Sequence, residues 1–88
     1  MNRVTLRTRL AELIAAATEG EVPANSVLAG DASLTDLGMD SLGFLRLLDA
    51  IELDYAIEFD LDGTQALPDT VDAIADRLVE HGLQLTDG

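Results

Sequence analysis

The chain has 88 residues, 48% of them apolar, which supports one small hydrophobic core without a second, enclosed substrate cavity. The absence of cysteine excludes disulfides and thiolate metal sites, and no stretch predicts a signal peptide or a membrane span. The net charge of −12 argues against nucleic-acid and anionic-membrane binding and favours basic protein partners. We therefore expect a cytoplasmic, monomeric protein with a single domain over residues 1–88.

The first helix is predicted from about residue 4 to residue 18, because apolar residues recur there at steps of three and four. Its apolar stripe comprises Leu6, Leu10, Leu13, Ile14 and Ala17. Residues 19–40 interrupt the period with Pro23 and Gly30, and predict a long loop without regular structure. Five aliphatic residues are scattered through this loop, so we expect it to insert side chains into the core: Val22, Val27, Leu28, Leu34 and Leu37.

The strongest helical pattern runs over residues 41–56, "SLGFLRLLDAIELDYA". Its predicted core face comprises Phe44, Leu47, Leu48, Ile51 and Tyr55. A second line with the same spacing, formed by Leu42, Leu45 and Asp49, lies on a different face. This second line either widens the core face or forms a surface for a partner.

The remaining residues predict one short helix and one longer one. The acidic passage 57–68 has room for about one helical turn near residues 62–66, and its strand-like alternation has no partner strand. Asp69 or Thr70 is predicted to cap a last helix that ends at Gly82. Residues 83–88 are predicted to form a frayed tail, from which Leu83 packs back onto the core. The last helix has the apolar stripe Val71, Ile74, Ala75, Leu78 and Val79. The predicted fold class is all-α.

The stretch "LGMDSL", residues 37–42, places Asp40 and Ser41 where the strongest helix begins. Either residue suits an N-cap, and from the residues alone this structural role is the more common one. The same position suits a phosphate ester on Ser41, because the free N–H groups and dipole of a helix N-terminus stabilise negative charge. A serine nucleophile needs a general base, and His81 lies near the end of the last helix, so we predict no catalytic residues.

The segment "DLGMDSLGFLRLLDAIE" resembles the phosphopantetheine-attachment motif of acyl carrier proteins, an aspartate, a glycine and then Asp-Ser-Leu before an amphipathic helix. The matching positions are Asp36, Gly38, Asp40, Ser41 and Leu42. The order of the predicted elements resembles the family over nearly the whole chain. The resemblance implies a four-helix bundle with a long loop between the first two helices and a short third helix.

The resemblance further implies that Ser41 accepts 4′-phosphopantetheine from coenzyme A, transferred by a separate phosphopantetheinyl transferase. The thiol of that group would hold an acyl or aminoacyl cargo as a thioester, which would explain how a chain without cysteine presents a thiol. The implied partners also include an acyltransferase or an adenylating or ligase enzyme that loads the cargo, and a downstream synthase. The chain itself would perform no bond chemistry, and no metal is implied.

In the resembling family, the face beside the serine docks onto basic patches of partner enzymes. The corresponding docking residues here would be Leu42, Leu45, Arg46, Asp49 and Asp62. Arg46 departs from the acidic residue common at this place, which indicates a dedicated partner. Gly43 is unusual inside a helix, and it either permits close approach by a partner or is neutral.

Arg46, Gly43 and a composition with abundant alanine and with arginine but no lysine favour a free-standing carrier of a polyketide or mixed polyketide–peptide pathway. A first alternative is an aminoacyl or peptidyl carrier, although such carriers more often have Gly-Gly-x-Ser where this chain has Asp40 and Ser41. A second alternative, from another class, is an unmodified helical adaptor that uses its acidic face only for docking.

Overall fold

The computed structural model describes residues 2–30, 32–56 and 69–85. These ranges contain four α-helices and no strand: α1 (Arg3–Ala17), α2 (Ala24–Leu28), α3 (Ser41–Tyr55) and α4 (Val71–Glu80). The predicted all-α class is thus confirmed, while the short helix predicted near residues 62–66 lies outside the described residues. None of the helices in these ranges is long and apolar enough to cross a membrane.

Helix α1 is the centre of the fold, because it packs against α2, α3 and α4. It begins after Asn2, whose side-chain oxygen accepts a hydrogen bond from the backbone N–H of Thr5 at 2.8 Å. All five residues of its predicted apolar stripe are buried, together with Ala11. The helical period of the sequence therefore identified the inward face of α1 correctly.

The connection between α1 and α3 is more ordered than predicted, because it contains α2. This helix has five residues, of which Val27 is buried. A single buried position cannot form a repeating apolar pattern, so the sequence contains no signal for the helix. The prediction that the connection enters the core is confirmed. Val22, Val27 and Leu34 are buried, and Leu28 and Leu37 pack partly buried against the core.

Helix α4 begins at the Thr70 cap, whose hydroxyl oxygen accepts a hydrogen bond from the N–H of Ala73 at 3.0 Å. Four of its five predicted apolar positions are buried, but Val79 is exposed, so its assignment to the core was wrong. Beyond α4, Leu83 and Leu85 are partly buried against the core. The described part of the predicted tail, residues 83–85, therefore packs on the bundle.

Three arginines of α1 connect the helices through ion pairs. Arg3 lies 2.9 Å from a carboxylate oxygen of Asp76, and Arg7 lies 3.0 Å from one of Asp72, so both tie α1 to α4. Arg9 pairs with Asp54 of α3 through two contacts, at 3.0 and 3.3 Å. The hydrogen bond from Arg9, together with its positive charge, lowers the pKa of Asp54 below its usual 3.8.

Candidate functional site

The site is built on the first turn of α3. Asp40 is the N-cap, and its side-chain oxygen Oδ1 accepts a hydrogen bond from the N–H of Gly43 at 2.8 Å. Ser41 is the first helical residue and is exposed. The backbone N–H groups of Ser41 and Leu42 have no acceptor among the described residues, so two donors at the positive end of the helix remain free.

The turn that leads into α3 depends on Gly38. Its φ of +113° lies in a region that side-chain-bearing residues rarely adopt. In this conformation the N–H of Gly38 donates to the carbonyl oxygen of Thr35 at 3.0 Å, and that of Met39 donates to Leu34 at 2.9 Å. The glycine therefore closes the turn that brings Asp40 and Ser41 to the start of the helix.

The same turn is tied to the start of α4 by Asp69. The Asp69 carboxylate oxygen Oδ1 accepts hydrogen bonds from the hydroxyl of Thr35 at 2.9 Å and from its backbone N–H at 3.1 Å. The backbone oxygen of Asp69 accepts from the N–H of Leu34 at 2.6 Å. Because Thr70 caps α4, the side chain of Asp69 is free to hold the turn.

Gly43 fits the first turn of α3 against the interior of the protein. It is buried, and a Cβ atom added to it would lie 3.3 Å from Met39 Cγ, 3.3 Å from Asp40 Oδ1 and 3.4 Å from Thr18 Cγ2. Thr18 is itself buried: its hydroxyl donates to Ile14 and accepts from the N–H of Val22 at 3.1 Å. The glycine thus fits the close packing of α3 against Thr18 and Met39.

An open groove of about 550 Å³ borders Ser41. Met39 and Phe44 are the buried apolar members of its lining, and Thr35, Asp40 and Asp69 are the polar ones. The serine therefore stands between solvent and a partly apolar surface. Such a groove has room for a flexible group with both polar and apolar parts.

The second line of residues on α3 belongs to the surface. Leu42 is 54% exposed and Leu45 is 60% exposed, which excludes the alternative that they widen the core face. Arg46 and Asp49 are exposed beside them. Arg46 approaches a carboxylate oxygen of Glu19 at 3.9 Å. The structure thus brings four of the predicted docking residues onto one face, while Asp62 lies outside the described residues.

The remaining motif residue, Asp36, is exposed, and its backbone N–H donates to the hydroxyl of Ser33 at 3.1 Å. Three residues that shape the site were not predicted to belong to it: Thr18, Thr35 and Asp69. Thr18 shapes the site through Gly43, which lies in a different helix, and Thr35 and Asp69 are 34 residues apart. Only the candidate cap at Asp69 or Thr70 gave a signal, and it did not indicate the turn before Ser41.

The surroundings of Ser41 contain no histidine within the described ranges. His81 lies at the C-terminal end of α4, whereas the Ser41 groove is next to Asp69 at the other end of that helix. The same ranges contain no cluster of His, Cys, Asp or Glu side chains suited to holding a metal ion. The geometry therefore presents an exposed hydroxyl without an adjacent histidine base.

Comparison with known proteins agrees with this arrangement. Residues 5–78 match the family described as "Phosphopantetheine attachment site". The chain is 33% identical over 87 residues to acyl carrier protein 3 of Ralstonia nicotianae, an alignment covering 96% of this chain and 98% of that protein. No solved structure gives a significant match. The chain therefore belongs to the acyl carrier proteins, which hold a covalently attached 4′-phosphopantetheine, work with a phosphopantetheinyl transferase and biosynthetic enzymes, and have no catalytic activity of their own.

Proposed function

We propose that Ser41 is the residue that carries 4′-phosphopantetheine. The observation that carries this proposal is the exposed first-turn position of Ser41, directly after the Asp40 cap and beside two free backbone N–H groups. A phosphodiester on this hydroxyl gains from the helix dipole and from those donors. Asp40 and Ser41 thereby take different roles, the first capping the helix and the second bearing the group.

The residues around Ser41 fit such a group. When attached, 4′-phosphopantetheine supplies a thiol on which an acyl group is held as a thioester. The chain contributes the anchor and its surroundings: Gly38 and Asp69 fix the turn, and Gly43 seats the helix on Thr18. Met39 and Phe44 offer an apolar surface next to the anchor.

The exposed face of α3 is the proposed docking surface. Leu42 and Leu45 supply apolar contact area next to Ser41, and Arg46 and Asp49 supply charges of both signs. Asp62, which lies outside the described residues, is kept as a proposed docking residue on the resemblance alone. The partners are a phosphopantetheinyl transferase, an acyltransferase or an adenylating or ligase enzyme that loads the cargo, and a downstream synthase.

For the pathway, the proposal is an acyl carrier of polyketide-type secondary metabolism. The Asp-Ser pair at 40–41 supports an acyl cargo, and Arg46 within the docking face supports a dedicated set of enzymes. An aminoacyl or peptidyl cargo is the second candidate, because none of the described residues that line the groove beside Ser41 selects one cargo class. A panel of acyltransferases and adenylating enzymes distinguishes the two cargo classes. Each enzyme is offered the phosphopantetheinylated protein, with its thiol free, together with its own activated substrate, and the mass of the product identifies the cargo.

The attachment residue is tested by intact-mass measurement after incubation with coenzyme A and a broad-specificity phosphopantetheinyl transferase. The wild type should gain the mass of one phosphopantetheinyl group, and Ser41→Ala should gain none. Ser26→Ala, which removes another exposed serine hydroxyl, is the matched control and should be modified like the wild type. Full modification of Ser41→Ala would refute Ser41 as the anchor, and an unmodified wild type would favour the adaptor alternative.

A further inference from the structure

The face of α3 that points directly away from the core carries an unusual apolar residue three turns beyond Ser41. Leu53 is 88% exposed, more than Leu42 or Leu45. At about 100° per residue, Leu53 lies within about 20° of Leu42 around the helix axis. Arg46 and Asp49 lie between these two leucines along the axis. These residues form one stripe, Leu42, Leu45, Arg46, Asp49 and Leu53, on the side opposite the buried Phe44, Leu47 and Ile51.

The stripe has apolar residues at both ends and opposite charges in the middle. Leu42 and Leu53 stand about 16 Å apart along the axis, at about 1.5 Å per residue. Solvent-facing positions of a surface helix are normally polar, and exposed apolar residues that align on one face mark interaction sites. Leu53 therefore extends the docking surface well beyond the neighbourhood of Ser41.

The two central charges are available to a partner. Arg46 has a single carboxylate contact within the described residues, at 3.9 Å to Glu19, and the Glu19 side chain is 83% exposed. Such a long, solvated pair contributes little. The side chain of Asp49 makes no hydrogen bond or ion pair within the described part of the chain. A uniformly basic partner surface would match Asp49 but would repel Arg46.

Resting on the proposed carrier function, we infer that the enzyme that loads this protein covers the whole stripe from Leu42 to Leu53. Its matching surface bears apolar contacts at both ends, a basic group opposite Asp49 and a carboxylate opposite Arg46. The carboxylate is the specificity element, because it selects this carrier over carriers that have an acidic residue at the same place.

A second copy of this chain is the other occupant that the stripe admits. An antiparallel pair of α3 helices would place Leu42 beside Leu53 and Arg46 beside Asp49 of the other copy. A net charge of −12 on each copy opposes that association. The proposal therefore commits to the loading enzyme, and sedimentation tests the second copy.

The experiment uses the phosphopantetheinylated protein and the enzyme that loads it in the panel described above. Leu53→Glu should raise the KM for the carrier about tenfold with an unchanged kcat, the size expected for loss of an apolar anchor. Val4→Glu makes the same exchange at another exposed aliphatic residue, on α1, and should leave KM unchanged. An unchanged KM for Leu53→Glu, or an equal rise for Val4→Glu, would overturn the distal anchor.

Arg46→Glu tests for the carboxylate on the partner enzyme, because the two possible partner surfaces would change the KM in opposite directions. KM should rise if a carboxylate faces Arg46, whereas a uniformly basic partner surface would bind the variant more tightly and lower KM. Sedimentation of the wild type at micromolar concentration should show a monomer, and a dimer dissolved by Leu53→Glu would refute the inference. Intact-mass measurement separates the two proposals. A wild type that gains no phosphopantetheinyl group refutes the carrier function itself. Full modification of Leu53→Glu together with an unchanged KM refutes only the extended stripe.

Discussion

Two glycines perform different tasks on either side of Ser41. Gly38 supplies a backbone angle that the turn needs, with a φ of +113°, while Gly43 supplies the space that lets α3 approach Thr18 and Met39. Asp40 connects the two tasks, because it follows the turn and caps the helix on the N–H of Gly43. The exposure of Ser41 is thus the result of its neighbours being held inward.

Gly43→Ala should lower the free energy of unfolding by about 1 kcal/mol. Alanine favours a helix by up to about 1 kcal/mol over glycine, and by less in the first turn. The new methyl group would crowd Met39 and the capping oxygen of Asp40, and overpacking together with a weakened cap costs about 1–3 kcal/mol. Urea unfolding measures the difference.

Gly30→Ala is the matched control for this substitution, because a Cβ there meets nothing within 4 Å. Its stability should remain within about 0.5 kcal/mol of the wild type. A Gly43→Ala variant more stable than the wild type would contradict the packing argument. It would mean that α3 and Thr18 move apart to admit the new methyl group at little cost, unlike a close-packed interior.

At the scale of the elements, the start of α4 holds the turn before α3. The carboxylate of Asp69 receives two hydrogen bonds from Thr35, and its backbone oxygen receives one from Leu34. No direct contact between the bodies of α3 and α4 is needed for this effect. The position of Ser41 therefore depends on a residue in a different part of the sequence.

Asp69→Ala should destabilise the turn more than the whole fold. Loss of the two side-chain hydrogen bonds should lower the free energy of unfolding by about 1–2 kcal/mol. The amide of Met39, which donates within the turn, should exchange with solvent faster, as hydrogen exchange followed by NMR would measure. Asp36→Ala, which removes an exposed carboxylate from the same turn, is the control and should leave exchange unchanged; equal acceleration in both variants would contradict the role of Asp69.

The elements differ in how far the sequence predicts them. The stripes of α1 and α3 repeat over four turns, so their inward faces follow from periodicity alone. Leu42 and Leu45 remained ambiguous, because a helix that packs on one side tolerates a broad apolar face. The five-residue α2 is too short to show a period, and the Thr35–Asp69 contact joins residues that no local pattern connects.

At the scale of the whole molecule, three of the five arginines form ion pairs between helices. Arg3, Arg7 and Arg9 of α1 face Asp76, Asp72 and Asp54, so they neutralise acids of α3 and α4. Seventeen acids against five arginines leave an excess of twelve negative charges. The ion pairs of α1 therefore attract neighbouring helices, while the excess negative charge of the whole protein opposes the compact fold.

The stability of the protein should rise with salt. Exposed ion pairs contribute about 0–1 kcal/mol each, so screening them costs little, while screening the excess of twelve negative charges relieves repulsion throughout the fold. We expect the Tm, followed by circular dichroism, to increase from about 10 mM to about 1 M sodium chloride, as the Debye length shrinks from about 30 Å to about 3 Å.

Potassium chloride should act like sodium chloride, because screening depends on ionic strength and not on the identity of the cation. A Tm that falls with salt would mean that the arginine pairs of α1 dominate the electrostatics of the fold. A difference between the two salts would point to a specific cation site instead of screening.

The seating of Gly43 on Thr18 also affects the thermodynamics of association. A serine on a free loop would surrender backbone entropy each time an enzyme fixed it in place, at about 1–2 kcal/mol for every residue immobilised. Here that entropy is already lost when the chain folds, since Asp40 and Gly43 are held before any encounter. With the proposed attachment at Ser41, the arm would start from a fixed point, so its own length and flexibility would set the volume that the cargo searches.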